Sequence, residues 1–286
     1  MPDRTVIGID FGSSQSSIAV LRIGSTNTPE LLNVGGARKV VTIPTLLAVD
    51  ANDGSVIDFG ANVRKHYKEE QQGTVIFASN FKRYLGKEMN SDTSDNLKDA
   101  NKYCKLFIYE LAKFVKARYN VKELDFQDFE TCLAYPATWS KEQIELLKQY
   151  AKEAGFPADP IYGIKAIPEP VAAMHALKLQ NEDFCFAPYP EHYLVIDFGG
   201  GTLDICVIRT DTLGRTPEII STSGDSELGG KEFDNIVEHR FFRTVEGLSK
   251  DQLSGRELAE LADKIQEAKE TFSENFKTNE VATVSF

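Results

Sequence analysis

The feature that most constrains this chain is a repeat. "VIGIDFGSSQSSIAV" begins at Val6 and "YLVIDFGGGTLDICV" at Tyr193. One constant offset brings Ile9 onto Ile196, Asp10 onto Asp197, Phe11 onto Phe198, Gly12 onto Gly199, Ile18 onto Ile205 and Val20 onto Val207. Each copy reads as a short β-rich run, a turn of small residues and a second β-rich run, which is the pattern of a β-hairpin. A single such hairpin is common, and an aspartate at its turn can simply cap it. Two copies far apart in the chain predict duplicated halves that face each other, with a ligand between them meeting one hairpin from each side.

Between the copies, strand-like and helical stretches alternate, as in an α/β fold. "LLAV" and "TCLAY" read as strands. "SKEQIELLKQYAKEAGF" reads as a helix that opens with a capping box, Ser140 with Gln143, and stops at Gly155. "CKLFIYELAKFVKARY" has helical apolar spacing, and "SGRELAELADKIQEAKETFSENF" opens on a second capping box, Ser254 with Glu257. Prolines and polar residues in "NEDFCFAPYPEHY" break the periodicity just before the second hairpin, so the halves divide there, as 1–188 and 189–286. The final "EVATVSF" reads as a strand, which suggests a chain that stops inside a sheet.

Composition narrows the function classes. A formal net charge of -11 argues against a basic nucleic-acid face but leaves room for an anion held by local donors or a metal ion. No apolar run is long enough to span a bilayer, and "MPDRTVIGID" lacks the order of a signal peptide, so a cytoplasmic protein is expected. Cys104, Cys132, Cys185 and Cys206 are dispersed among apolar neighbours, as free thiols are in a reducing compartment. The scattered His66, His175, His192 and His239 do not suggest a metal site.

The small residues of the turns carry the chemistry. Gly12, Ser13 and Ser14 in one copy, and Gly199, Gly200 and Gly201 in the other, allow backbone N–H groups to approach phosphate oxygens. Hydroxyls of Ser13, Ser14 and Thr202 add donors. Asp10 and Asp197 end the first strand of each hairpin, where they can accept from the water shell of Mg2+, which keeps most of its waters. A nucleoside triphosphate with Mg2+ fits this set.

Beyond the hairpins, "TIPTLLAV", "NFKRYLG", "AYPATWSKEQ", "IPEPVAAMHAL", "STSGDSELGGKEFDN" and "IQEAKETFS" follow in order. With them the chain resembles the nucleotide-binding domain of the 70-kDa heat-shock (DnaK-type) chaperone family, within the superfamily of actin-like ATPases. The resemblance runs from residue 6 to about residue 273. It implies an α/β, actin-like ATPase (ribonuclease H-like) fold, two duplicated lobes flanking a nucleotide cleft and truncated at the C-terminus. Lobe I would carry an inserted subdomain at about 35–108, and lobe II a core at about 189–227 with an outer part at about 228–286.

The resemblance also implies roles. ATP or ADP with Mg2+ is the expected ligand, and ATP hydrolysis the expected reaction. Asp10, Asp197 and Glu169 would order metal and water, mostly through water, and Thr202 would face the terminal phosphate. Gln15 joins the first loop, and Asp204 holds the family's second aspartate position. Gly229 and Gly230 would let nucleotide approach the following helix, while Gln266, Lys269 and Ser273 would meet the nucleoside. Implied partners of a full-length protein are client polypeptides, a nucleotide-exchange factor and a J-domain protein, with no nucleic acid, no membrane and a monomeric state.

Two departures stand out. By the resemblance, the family's catalytic lysine falls on Arg64 in "GANVRKHY", with Lys65 the alternative if the loop shifts by one, and its interdomain arginine on Ile144. Arginine keeps the charge but exchanges a compact ammonium for a planar fork. A non-hydrolysing nucleotide sensor or scaffold, and a small-molecule kinase of the same superfamily, are the alternatives.

Overall fold

The repeat folds as two hairpins of equal register. In the computed structural model, which describes residues 4–24, 28–35, 39–68, 74–87, 99–119, 129–159, 161–180, 191–210 and 217–275, β1 (Arg4–Phe11) pairs antiparallel with β2 (Gln15–Ile23), Ile9 opposite Ile18. Short β3 (Glu30–Leu31) and β4 (Thr42–Pro44) both join β2. The chain then leaves the main sheet for a three-stranded one, in which β5 (Leu46–Asp50) lies between β6 (Val56–Phe59) and β7 (Val75–Ser79). A 3-10 segment, Gly60–Lys68, separates β6 from β7, and a second, Phe81–Tyr84, follows β7.

Helix α1 (Ala100–Arg118) covers the apolar face of the main sheet, with Phe107 stacked on Phe11 at 5.7 Å between ring centres. β8 (Phe129–Tyr135) adds to β1 in parallel. α2 (Lys141–Glu153) has both hydrogen bonds of the expected capping box, and Gly155 just beyond it takes φ +83°, the left-handed region that favours glycine. β9 (Lys165–Pro168) completes a six-stranded sheet. One buried cluster runs from Ile7 through Phe107 and Leu147 to Ile164, and takes in Leu47 and Ala78 of the small sheet.

α3 (Glu169–Gln180) joins the two halves, since its Val171 and Met174 pack on Cys206 and Ile208 of the second hairpin. That hairpin is β10 (His192–Phe198) with β11 (Leu203–Arg209), Ile196 opposite Ile205, followed by β12 (Glu218–Asp225). α4 (Gly230–Thr244) and α5 (Gly255–Asn275) complete the described chain, and Ala259 of α5 packs against the small sheet of the first half. Ser254 and Glu257 form the expected cap of α5.

The two hairpins are buried very differently. Ile9 is 4 % exposed, whereas its counterpart Ile196 is 61 % exposed, and Leu194 and Phe198 beside it also face outward among the described residues. No helix of the described residues is long and apolar enough to cross a membrane. Cys104, Cys132 and Cys206 are free thiols. The predicted dividing segment, the terminal strand and Cys185 lie outside the described residues.

Candidate functional site: a cleft between the two hairpin loops

The loops after β1 and β10 meet. A Cβ built on Gly200 would lie 2.1 Å from the Ser14 hydroxyl oxygen, and one on Gly201 would lie 3.1 Å from the Ser13 Cβ. Such separations leave room only for glycine at position 200. The loops edge a cavity of about 340 Å³ lined by Asp10, Gly12, Ser13, Ser14, Gln15, Lys82, Glu169, Asp197, Gly199, Gly200, Gly201, Thr202, Gln266, Lys269 and Glu270. Residues from five separate stretches of sequence therefore converge on one space.

Its floor is acidic. Asp10 and Asp197 are the last residues but one of β1 and β10, and Glu169 is the first residue of α3, all three on the cavity wall. Burial raises the Asp10 carboxyl above its ordinary value; Lys82 opposes that rise, and Glu169 and Asp197 add to it. Burial likewise raises Asp197, with Glu169 and Asp204 adding negative charge and Lys82 opposing them. Burial and neighbouring carboxylates thus outweigh the one ammonium that opposes them. The Gln15 side-chain oxygen, also on the wall, is buried without a hydrogen-bond partner among the described residues.

These residues fit a hydrated Mg2+. The described residues contain no group of three or more His, Cys, Asp or Glu side chains that could hold a metal ion together. Carboxylates spaced around a cavity rather than gathered on one point suit an ion that is held through its waters.

Four expectations change with the structure. Arg64 stands away from the acidic floor, because the 3-10 segment Gly60–Lys68 buries Val63 and turns Arg64 toward α5. Its Nε and Nη2 donate to Asp263 at 2.6 and 2.7 Å, and it lines a neighbouring cavity of about 390 Å³ instead. Asp204 is buried and accepts a hydrogen bond from Thr138 Oγ1 at 2.8 Å, off the cavity wall. Gly229 and Gly230 serve a close approach, but of the loop that follows β10: a Cβ on Gly229 would lie 2.7 Å from the Gly201 backbone, and Gly230 N donates to Gly199 O. Ser273 is exposed near the end of α5 and lines neither cavity, one turn beyond the reach of Gln266 and Lys269.

Sequence reasoning missed Lys82. Its Nζ donates to Glu169 Oε1 at 2.8 Å, and only 5 % of its side chain is exposed. Two adjacent cations in "FKRY" look like surface, yet Phe81 and Leu85 on either side are fully buried and pull both inward. Arg83 crosses to the other half, donating to Glu232 Oε1 of α4 at 2.9 Å. The four-residue spacing of Phe81 and Leu85 is the signal that could have found them.

Comparison with known proteins points the same way. A family model described as "Hsp70 protein" matches residues 129–285, more than half of the chain. The chain is 28% identical over 298 residues to "Chaperone protein HscA homolog" of Methylobacillus flagellatus, covering 99% of this chain and 44% of that one. It is 27% identical over 275 residues to "Chaperone protein DnaK" of Mycoplasma mobile, covering 92% and 40%. To "Chaperone protein DnaK" of Prochlorococcus marinus it is 28% identical over 286 residues, covering 91% and 41%. The chain thus spans about two fifths of the length of these curated relatives.

Proposed function

The chain belongs to the Hsp70 family, and from that premise we propose that it is the Mg2+-dependent ATP-binding and ATP-hydrolysing part of a chaperone, with lobe I at 1–188 and lobe II at 189–286. The observation that carries the reading is the convergence of both small-residue loops and three carboxylates on one cavity.

In this reading the loop backbones and the hydroxyls of Ser13, Ser14 and Thr202 bind the β- and γ-phosphates. Asp10, Asp197 and Glu169 hold the water shell of Mg2+, which when bound neutralises phosphate charge. Hydrolysis forms a bond from a water oxygen to the γ-phosphorus and breaks the bond to the β,γ-bridging oxygen, whose electron pair leaves with ADP. The proton of the water passes to Asp197, whose raised pKa suits a base better than an ordinary aspartate. Gln266 and Lys269 of α5, both on the cavity wall, would meet the nucleoside. Closure of the lobes about nucleotide would then govern binding of client polypeptides in the full-length protein, with a J-domain protein and an exchange factor as partners.

The position of Arg64, away from the acidic floor, favours one rival, a sensor that binds ATP without cleaving it. Single-turnover hydrolysis separates the two. The proposal expects ADP and phosphate from the parent chain and none from Asp197→Asn, both folded by circular dichroism; equal rates in the two proteins would refute the role given to Asp197.

A further inference from the structure

We propose that the side-chain carbonyl of Gln15 is a fourth acceptor for the water shell of the Mg2+ that accompanies the nucleotide, beside Asp10, Asp197 and Glu169. The proposal rests on the reading of the cleft as a site for a triphosphate with its cation. Gln15 opens β2, and Asp10 of β1 lies opposite Ser17 of that strand. Side chains two apart on a strand share a face, so Gln15 and Ser17 project from the same side of the main sheet as Asp10. Ile9, Phe11, Ser16 and Ile18, all buried, take the other side. Asp10 and Gln15 are thus diagonal neighbours across the pair, about 7–8 Å apart. A gap of that size is bridged by water rather than closed by direct contact.

The backbone around Gln15 is braced. Thr45 N donates to Ser14 O at 2.8 Å, Thr45 Oγ1 donates to Gly12 O at 2.9 Å, and the hydroxyls of Thr45 and Ser16 are hydrogen-bonded at 2.9 Å. Gln15 itself pairs with Pro44 of β4. Held between these, its side-chain oxygen is buried and has no hydrogen-bond partner among the described residues, although the residue lines the cavity. A buried acceptor without a donor is unfavourable, and folded proteins satisfy nearly all of them. The phosphates of a triphosphate that carries Mg2+ accept and do not donate, so the missing donor is a water or a hydroxyl of the nucleoside. The face shared with Asp10 selects the water. An amide also suits the charge of the site. Burial and neighbouring carboxylates already raise Asp10 and Asp197, and a further carboxylate would add to that repulsion. A neutral carbonyl adds an acceptor and no charge.

An acceptor that serves the water shell changes what Mg2+ adds to binding, and leaves metal-free binding alone. Calorimetric titration of ATP into the parent chain, Gln15→Leu and Gln15→Glu, each with Mg2+ and with the metal chelated, reads that difference. Leucine keeps the bulk and removes the acceptor, whereas glutamate keeps an acceptor and has no amide nitrogen. Gln15→Leu is expected to cut the gain in affinity brought by Mg2+ about threefold to tenfold, the size of one hydrogen bond, and to leave the chelated affinity within about twofold. Should Gln15→Leu fail to fold, Gln15→Ala replaces it with the same expectation. Gln15→Glu is expected to keep or enlarge the gain, and to bind ATP more weakly than the parent once the metal is removed. Equal weakening of Gln15→Leu with and without Mg2+ would make Gln15 a contact of the nucleoside and overturn the proposal. An unchanged gain would overturn it too, as would a Gln15→Glu that behaves like Gln15→Leu, since the effect would then belong to the amide nitrogen. Each of these leaves the nucleotide site standing. A parent chain without saturable ATP binding in the presence of Mg2+ would remove the site itself, and the proposal with it.

Discussion

Asp10 and Asp197 pay for their burial. Each holds its proton to a higher pH in the folded chain than in the unfolded one. Their contribution to stability is therefore complete below the unfolded value of 3.8 and is lost as pH rises through the raised folded value. Asparagine cannot ionise and escapes that loss. Thermal melts of the nucleotide-free chain should show Asp197→Asn more stable than the parent at neutral pH, with the difference shrinking as pH falls toward 4. A difference that grows on acidification would mean that Asp197 is stabilised by a partner rather than strained by burial. Lys82 belongs to the same balance, since its charge lowers both carboxyls while burial raises them. Composition could not reveal this residue: lysine and arginine are seldom buried, and only its neighbours Phe81 and Leu85 place it inside.

Between elements, the repeat was legible because hairpin register follows from the turn and the alternation of side chains, and both copies keep it: Ile9 faces Ile18 as Ile196 faces Ile205. Burial was not legible, because it depends on what packs against the strand. α1 lies on Ile9, whereas no described element covers Ile196. Ile9→Ala is expected to cost about 2–5 kcal/mol in denaturant unfolding and Ile196→Ala within about 0.5 kcal/mol, although the two positions are equivalent in the repeat. Equal costs would show that β10 is covered in solution. Strands of two or three residues, β3 and β4, were also invisible, as so short a run carries no alternation. The loops offer a further test. Gly200→Ala drives a methyl group into Ser14, and is expected to weaken ATP binding while the cooperative unfolding of the first half persists; Ser14→Gly in the same chain removes the obstructing side chain and should restore part of the affinity. No restoration would mean that the loops do not act as a pair.

For the whole molecule, the cleft exists because the halves are tied around it. Arg83 reaches Glu232, Arg64 reaches Asp263, Lys87 Nζ donates to Ser226 at 3.0 Å, and Thr138 donates to Asp204. These contacts bring the two loops to one cavity, whereas the acidic floor by itself would repel a triphosphate. The account therefore requires an anion that enters with its cation. Calorimetric titration of ATP into the parent chain, with Mg2+ and with the metal removed by chelation, tests that requirement most directly. One saturable site per chain with Mg2+, weakened at least about tenfold without it, is the expected result. Equal affinity in the two conditions, or no saturable binding with Mg2+ present, would contradict it.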